Sequence, residues 1–281
     1  MNPKLKALYG LKFNPFSSDV PTEALFVTPQ IEDFLWRIEH GVALEGGFAL
    51  VTGDPGTGKS VVLRLLADQL EQLREVTVGC LEHPQSNLAD FYREMGDLFG
   101  VPLRPHNRWG GFRALREKWS LHIESTLMRP ILLVDEAQEM HPAVLSELRI
   151  LAATRFDSRN ILGVVLAGDG RLLRKLQREE LLPLGSRMRA RLSLEPATSE
   201  NLRDCLTHLT KGAGNAKLFS RELLAVLCDH ALGNYRVLVT LANELLSAAL
   251  QREADVLDEK LYLEVFAAPG AEKPARGGSR R

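Results

Sequence analysis

The sequence predicts an α/β fold: a parallel sheet flanked by helices, followed by a smaller all-helical domain. Three observations predict it. Short apolar runs without polar alternation recur between helical patterns, as expected of strands covered on both faces. A glycine-rich stretch, "GDPGTGKS" (53–60), joins the first of these runs to a helix. From about residue 197 the strand signal stops and only helical spacing remains.

Taken in order, residues 1–29 read as an irregular lead-in punctuated by Pro3, Pro15, Pro21 and Pro29. A helix follows over 30–41, with Ile31, Phe34, Leu35 and Ile38 on one face and Gly41 stopping it. Strands are expected at "FALVTG" (48–53), "VTVGCLE" (76–82), "PILLVDEA" (130–137) and "ILGVVLAG" (161–168), with a fifth at "ARLSLEP" (190–196). The domain scheme is therefore lead-in 1–29, α/β domain 30–196, helical domain 197–267 and tail 268–281. The first helix of the helical domain is capped by Ser199 or Asn201 and closes at Gly212. The tail lacks packable apolar residues, so disorder is expected. Its Lys273, Arg276, Arg280 and Arg281 either touch DNA or a partner protein or serve as a solubilising end.

With 35 basic and 36 acidic side chains the net charge is -1, which excludes a global field that draws the protein to nucleic acid or membrane. Any DNA contact must come from a local basic patch. Cys80, Cys205 and Cys228 show no metal-ligand spacing and read as buried thiols of a reducing compartment. No apolar leader and no run of roughly 20 apolar residues is found, so a cytoplasmic protein with no membrane partner is expected.

The stretch 53–60 fits G-x-x-x-x-G-K-[ST], a match expected by composition in about one chain in a hundred of this size. The strand before it and the helix after it supply the context that the chemistry requires. Gly53, Asp54, Pro55, Gly56, Thr57, Gly58, Lys59, Ser60 and Val61 are the candidate phosphate cradle. Glycines let backbone N–H groups converge on a phosphate, and the helix adds its positive end. Lys59 would bridge β- and γ-phosphates of ATP, and the Ser60 hydroxyl would ligate Mg²⁺. "ILLVDEAQ" (131–138) brings Asp135 and Glu136 to a strand's C-terminal end, where open α/β sheets bind ligands. Asp135 is the candidate Mg²⁺ partner and Glu136 the residue that polarises the attacking water. The plainer readings are a glycine turn with a surface lysine and a solvated acidic strand end.

With "YGLKFNPF" (9–16), "GDPGTGKS", "LLVDEAQ", "VLAGDGRL" and "GNYRVL", the chain resembles the AAA+ ATPases of the ExeA/TniB/TnsC kind, from residue 9 to about 266. This group spans a secretion ATPase and ATPases that regulate DNA transposition. The resemblance implies strand order 5-1-4-3-2 and a C-terminal helical lid. It places Asp169 at the sensor-1 position, where relatives often carry an amide, Arg187 or the nearby Arg189 at the arginine finger, and Arg236 at sensor 2 on the lid. Phe16 and Phe26 either line an adenine pocket or simply pack. A finger acting on a neighbour's γ-phosphate implies a homo-oligomer, ring or helical filament, because the site exists only between protomers.

"GVPLRPHNRWGGFRALREKW" (100–119) is the candidate nucleic-acid surface. Arg104, His106, Arg108 and Arg113 surround Trp109 in a stretch read as a loop broken by Pro105 and Gly110–Gly111, suited to phosphate contacts plus stacking; alternatively Trp109 packs inward. The expected function is an ATP-dependent regulator of transposition that assembles on duplex DNA, recruits or activates a transposase, with a target-selection protein as a further candidate partner, and disassembles on hydrolysis. The alternatives are a secretion or envelope-assembly ATPase, and a nucleotide-gated scaffold that hardly hydrolyses. Secretion relatives continue into a membrane span and a peptidoglycan-binding region; this sequence shows neither, which sets the expectation toward DNA.

Overall fold

A computed structural model describes residues 3–81, 83–103, 107–155, 158–254 and 256–266. In chain order the main helices are α1 (Pro3–Tyr9), α2 (Pro29–Arg37), α3 (Lys59–Glu71), α4 (Leu88–Leu98), α5 (Arg108–Thr126), α6 (Pro142–Leu151), α7 (Gly170–Leu176), α8 (Ser199–Ala213), α9 (Arg221–Ala231), α10 (Tyr235–Arg252) and α11 (Glu259–Phe266). The main strands are β1 (Gly47–Gly53), β2 (Val78–Leu81), β3 (Ile131–Val134), β4 (Gly163–Gly168) and β5 (Met188–Leu194). Two compact units result: residues 27–196, and the residues up to Phe26 together with those from Ala197 onward.

In the α/β unit all five strands are parallel, in the order β2-β3-β4-β1-β5, which is the order the resemblance implied. Ile131–Val134 are buried along their whole length, as the unalternating apolar pattern requires. Phe91, Met95, Trp119, Leu145 and Leu148 from α4, α5 and α6 cover one side of the sheet. The expected stop at Gly41 is not used. After α2 the chain makes a π-helical turn, Ile38–Val42, and continues through Ala43–Glu45 until Gly46 at φ 72°. Ile38 and Val42, four residues apart and so on one helical face, are both buried.

The helical unit corrects three expectations. Residues 3–9 form a helix rather than irregular chain, and Leu5, Tyr9, Leu11 and Phe16 enter the core with Leu206, Leu227 and Leu245. The Tyr9 hydroxyl donates to the Ala254 carbonyl at 2.7 Å and Asn14 bonds Asn243 at 2.8 Å. The cap of α8 is Thr198, whose side chain accepts from Asn201 N–H, and the helix ends at Gly214 with φ 109° rather than at Gly212. Phe16 packs 5.6 Å from Phe219, and Phe26 lies against His208. Cys205 and Cys228 are buried, whereas Cys80 is exposed.

Candidate nucleotide site

β1 delivers the phosphate loop because its last residue, Gly53, ends at the C-terminal edge of the sheet and α3 starts six residues later. Gly58 caps α3 at φ 106°, a left-handed conformation open to glycine, and no side chain caps this helix end. Its first N–H groups thus face the loop. Lys59 is only 6 % exposed. Its Nζ donates to the carbonyls of Gly53 at 2.9 Å and Asp54 at 3.1 Å, arching across the loop. Thr57 closes the loop from the other side, donating to the Asp54 carbonyl at 2.8 Å.

β3 lies two strands away and brings the acidic pair to the same edge. Ser60 Oγ donates to Asp135 Oδ2 at 2.6 Å, and Asp135 Oδ1 accepts the Glu136 N–H at 2.8 Å. Two hard oxygen donors next to an uncapped helix end fit a magnesium ion with a triphosphate. Among the described residues no group of three or more His, Cys, Asp or Glu is arranged to hold a metal by itself. A cation at Ser60 and Asp135 would therefore take its other ligands from phosphate oxygens and water. Asp135 and Glu136 also line a cavity of about 410 Å³ with Leu63, Arg64, Cys80 and Leu133.

Residues 43–176 match the model of the AAA domain. The chain is 29% identical over 248 residues to the General secretion pathway protein A of Aeromonas hydrophila, a stretch that is 87% of this chain and 44% of that protein. Among solved structures it resembles Cdc6p from Pyrobaculum aerophilum, with TM-score 0.69 and 19% identity over 91% of this chain and 72% of that one. It also resembles the Aeropyrum pernix ORC1 protein in complex with DNA, with TM-score 0.65 and 19% identity over 88% and 67% of the two chains. The fold is that of an AAA+ P-loop NTPase. Family match and relatives together support an ATPase.

The remaining AAA+ positions fall into place unevenly. Asp169 follows β4 directly and caps α7, accepting the Arg171 N–H at 2.8 Å. The Arg171 guanidinium binds the same carboxylate at 2.9 Å and lowers its pKa, with the Arg171 hydrogen bond the largest cause. Arg171 also pairs with Glu139 at 2.9 Å, so its guanidinium is shared between two carboxylates, and Lys59 adds a further positive charge that favours the ionised Asp169. Arg187 stands just before β5, its guanidinium donating to the Pro183 carbonyl. Arg189 instead pairs with Glu45 at 2.6 Å. Met188 lies in register with Phe48 near the start of β1, while the phosphate loop begins after Gly53. At about 3.3 Å per residue, roughly 17 Å of strand separates the level of Arg187 from the loop of its own unit. Arg236 is the second residue of α10, exposed, in the turn that Asn234 caps.

The candidate nucleic-acid surface is not a loop where it is described. Arg108 to Thr126 is one helix, and Gly110 and Gly111 lie in its first turn. These glycines serve close approach, not flexibility. A Cβ on Gly110 would meet the side chain of Asn107, the cap of α5, at 2.4 Å, and one on Gly111 would meet the Tyr92 ring at 3.0 Å. Arg108 is taken up by Glu147, a carboxylate buried at the α6 face, with Nε to Oε1 at 3.0 Å and a second contact through Nη2. The Tyr92 hydroxyl donates to the same carboxylate at 2.6 Å. Burial first, then this hydrogen bond, raises the Tyr92 pKa well above the ordinary phenol value. Trp109 points outward, 68 % exposed, stacked on Phe112 at 5.7 Å and 8°. The Arg116 guanidinium lies 4.8 Å from the Phe112 ring centre, and Arg113 is exposed nearby. Arg104 and His106 lie outside the described residues, as does the whole tail with Lys273, Arg276, Arg280 and Arg281. No helix of the described residues is long and apolar enough to cross a membrane.

Proposed function

We propose that this chain is an ATP-dependent regulator that assembles with copies of itself on duplex DNA, recruits or activates a transposase, and disassembles when ATP is hydrolysed. The observation that carries the ATP half is the 2.6 Å contact between Ser60 and Asp135 beside Lys59 and Glu136. Gly53 to Val61 would hold the phosphates, Lys59 would bridge β- and γ-oxygens, and Ser60 with Asp135 would hold Mg²⁺, which supplies charge neutralisation when bound. Glu136 would orient and polarise the attacking water. Arg187, one strand length from its own loop, acts on the site of a neighbouring copy, which makes assembly a condition of turnover. Arg236 reports nucleotide state to the helices of the second unit.

The DNA half rests on Trp109, Phe112 and Arg113, an aromatic stack beside an exposed cation near the start of one helix, while Arg116 lies against the Phe112 ring with its guanidinium donating to the carbonyls of Ile150 and Ala153. Repeated around an oligomer, one such stack per copy gives weak, additive, sequence-tolerant phosphate and stacking contacts. Duplex DNA with a slowly hydrolysed ATP analogue is expected to yield large assemblies whose affinity falls steeply with salt; a flat salt response removes the DNA reading. A second reading, an ATPase of secretion or envelope assembly, is favoured by the 29% match to the Aeromonas protein. In that case nucleotide drives assembly and DNA has no effect on it.

A further inference from the structure

Gln138 follows the acidic pair by two residues, and the reaction as described gives it no part. Its side chain is 4 % exposed, and both ends of the carboxamide are used. Oε1 accepts the Asp169 backbone N–H at 3.2 Å, while Nε2 donates to Glu136 Oε2. A backbone donor on one side fixes which way the amide faces, so the end at Glu136 can only donate. The approach is close: a Cβ on Gly168 would lie 2.5 Å from Gln138 Oε1. β4 reaches this turn because residue 168 has no side chain.

Side chains of α7 fasten the same turn. Lys175 Nζ donates to the backbone carbonyls of Gln138 and, at 2.7 Å, Met140. Arg171 pairs with Glu139 at 2.9 Å as well as with Asp169. Glu136 itself sits at φ 49° and ψ 37°, a left-handed conformation that a non-glycine residue keeps only where its surroundings hold it. The backbone and one carboxylate oxygen of Glu136 are thus both held, and the hold runs through Gln138 to Asp169.

We infer that Gln138 is a positioning residue for ATP hydrolysis: it grips one oxygen of Glu136, leaves the other for the attacking water, and ties that carboxylate to the backbone of Asp169. The inference rests on the proposed role of Glu136. A shift of the Asp169 loop on contact with a γ-phosphate then moves Glu136 with it, so water activation follows the state of the nucleotide. The carboxamide is the one side chain here that accepts from Asp169 and donates to Glu136 at once. A glutamate of the same length keeps the first contact and reverses the second.

The test is steady-state and single-turnover ATP hydrolysis by the full chain carrying Glu136→Gln, Gln138→Met, Gln138→Glu, or each Gln138 change combined with Glu136→Gln, with ADP affinity measured in parallel. Gln138→Met is expected to lower kcat roughly ten- to a hundredfold, the usual scale for a group that orients a functional ligand. KM and ADP affinity should stay within about twofold, because Glu136 is needed only at the transition state. Gln138→Glu should lose at least as much. In the Glu136→Gln background neither change should cause a further loss, since the residue it positions is already disabled. Losses that multiply in the double variants, or KM and ADP affinity worsening in step with kcat, overturn the inference, as does normal turnover in the Gln138 variants when Glu136→Gln is inactive. Normal turnover in Glu136→Gln instead removes the role of Glu136 itself. If Gln138→Met fails to fold, the near-isosteric Gln138→Glu decides through the same cycle.

Discussion

Ser60 and Asp135 are 75 residues apart in sequence and meet at 2.6 Å, hydroxyl to carboxylate, at the edge where β1 and β3 end. Neither oxygen needs the other for burial, since the contact is exposed to solvent. Under the proposed function, the pair is placed to recruit magnesium. Asp135→Asn is therefore expected to leave ADP affinity measured in EDTA nearly unchanged and to abolish most of the gain that added Mg²⁺ produces. A nucleotide titration by fluorescence or calorimetry at fixed and zero Mg²⁺ checks this. The corresponding Mg²⁺-dependent rise in Tm should shrink in parallel, because a ligand stabilises in proportion to the logarithm of its occupancy.

What was legible in the sequence is what is local. Strand, glycine loop, lysine and helix follow one another within 25 residues, so Gly47–Glu71 could be read directly, and the apolar run before Asp135 fixed its position at a strand end. The bridge from Gln138 to Asp169 spans 31 residues and exists only because β3 and β4 are neighbours. Composition around Trp109 pointed to a flexible loop because two glycines normally mean one; here they admit the Asn107 cap and the Tyr92 ring. The first 26 residues have no helical period long enough to read, and their apolar residues find partners some 200 positions away, among them Leu206 and Leu245.

Arg108 and Arg113 sit on one helix, the first committed to a buried carboxylate and the second exposed. Glu147 is buried and relies on Arg108 and Tyr92 for its hydrogen bonds. Arg108→Ala strands that carboxylate and is expected to lower stability by about 1–3 kcal/mol, below the range for a fully buried pair because the arginine is more than half exposed. Arg113→Ala should change stability by no more than about 0.5 kcal/mol. Under the proposed function, Arg113→Ala and Trp109→Ala weaken DNA binding, and Arg113→Ala also reduces its salt dependence. Chemical denaturation and DNA titrations at two salt concentrations separate the two effects.

The helical unit carries an alkaline weakness. Burial pushes the Cys205 thiol from its ordinary 9 up to about 12, and burial likewise pushes the Tyr235 phenol from 10 up to about 12. Both groups keep their protons in the folded state over a range where the unfolded chain releases them. Stability is unaffected below about pH 9 and falls as pH rises from there toward 12. Tm measured from pH 7 to 10.5 should decline above pH 9, and Cys205→Ala should flatten that decline even if it lowers Tm throughout. A Tm that holds constant to pH 10.5 contradicts the burial argument. Native-state thiol titration near pH 8 should accordingly find Cys80 reacting fast, with Cys205 reacting only on unfolding.

The placement of Arg187 makes the most direct prediction about assembly. Along the sheet it stands at the level where β1 begins, whereas Lys59 follows the loop at the end of the same strand. Arg187→Ala should bind ATP like the wild type yet lose about 10³- to 10⁵-fold in turnover, the usual worth of an arginine finger. Lys59→Ala should be inactive for a different reason, lacking nucleotide affinity. Mixing the two inactive proteins creates junctions in which an intact loop meets a neighbour's intact Arg187, so part of the activity should return and should depend on total protein concentration. Arg189→Ala, whose side chain is committed to Glu45, should behave as wild type in the same assay. If the mixture stays inactive under conditions where both variants co-assemble, the arginine works within its own protomer or not at all. The 17 Å of intervening strand leaves the second alternative.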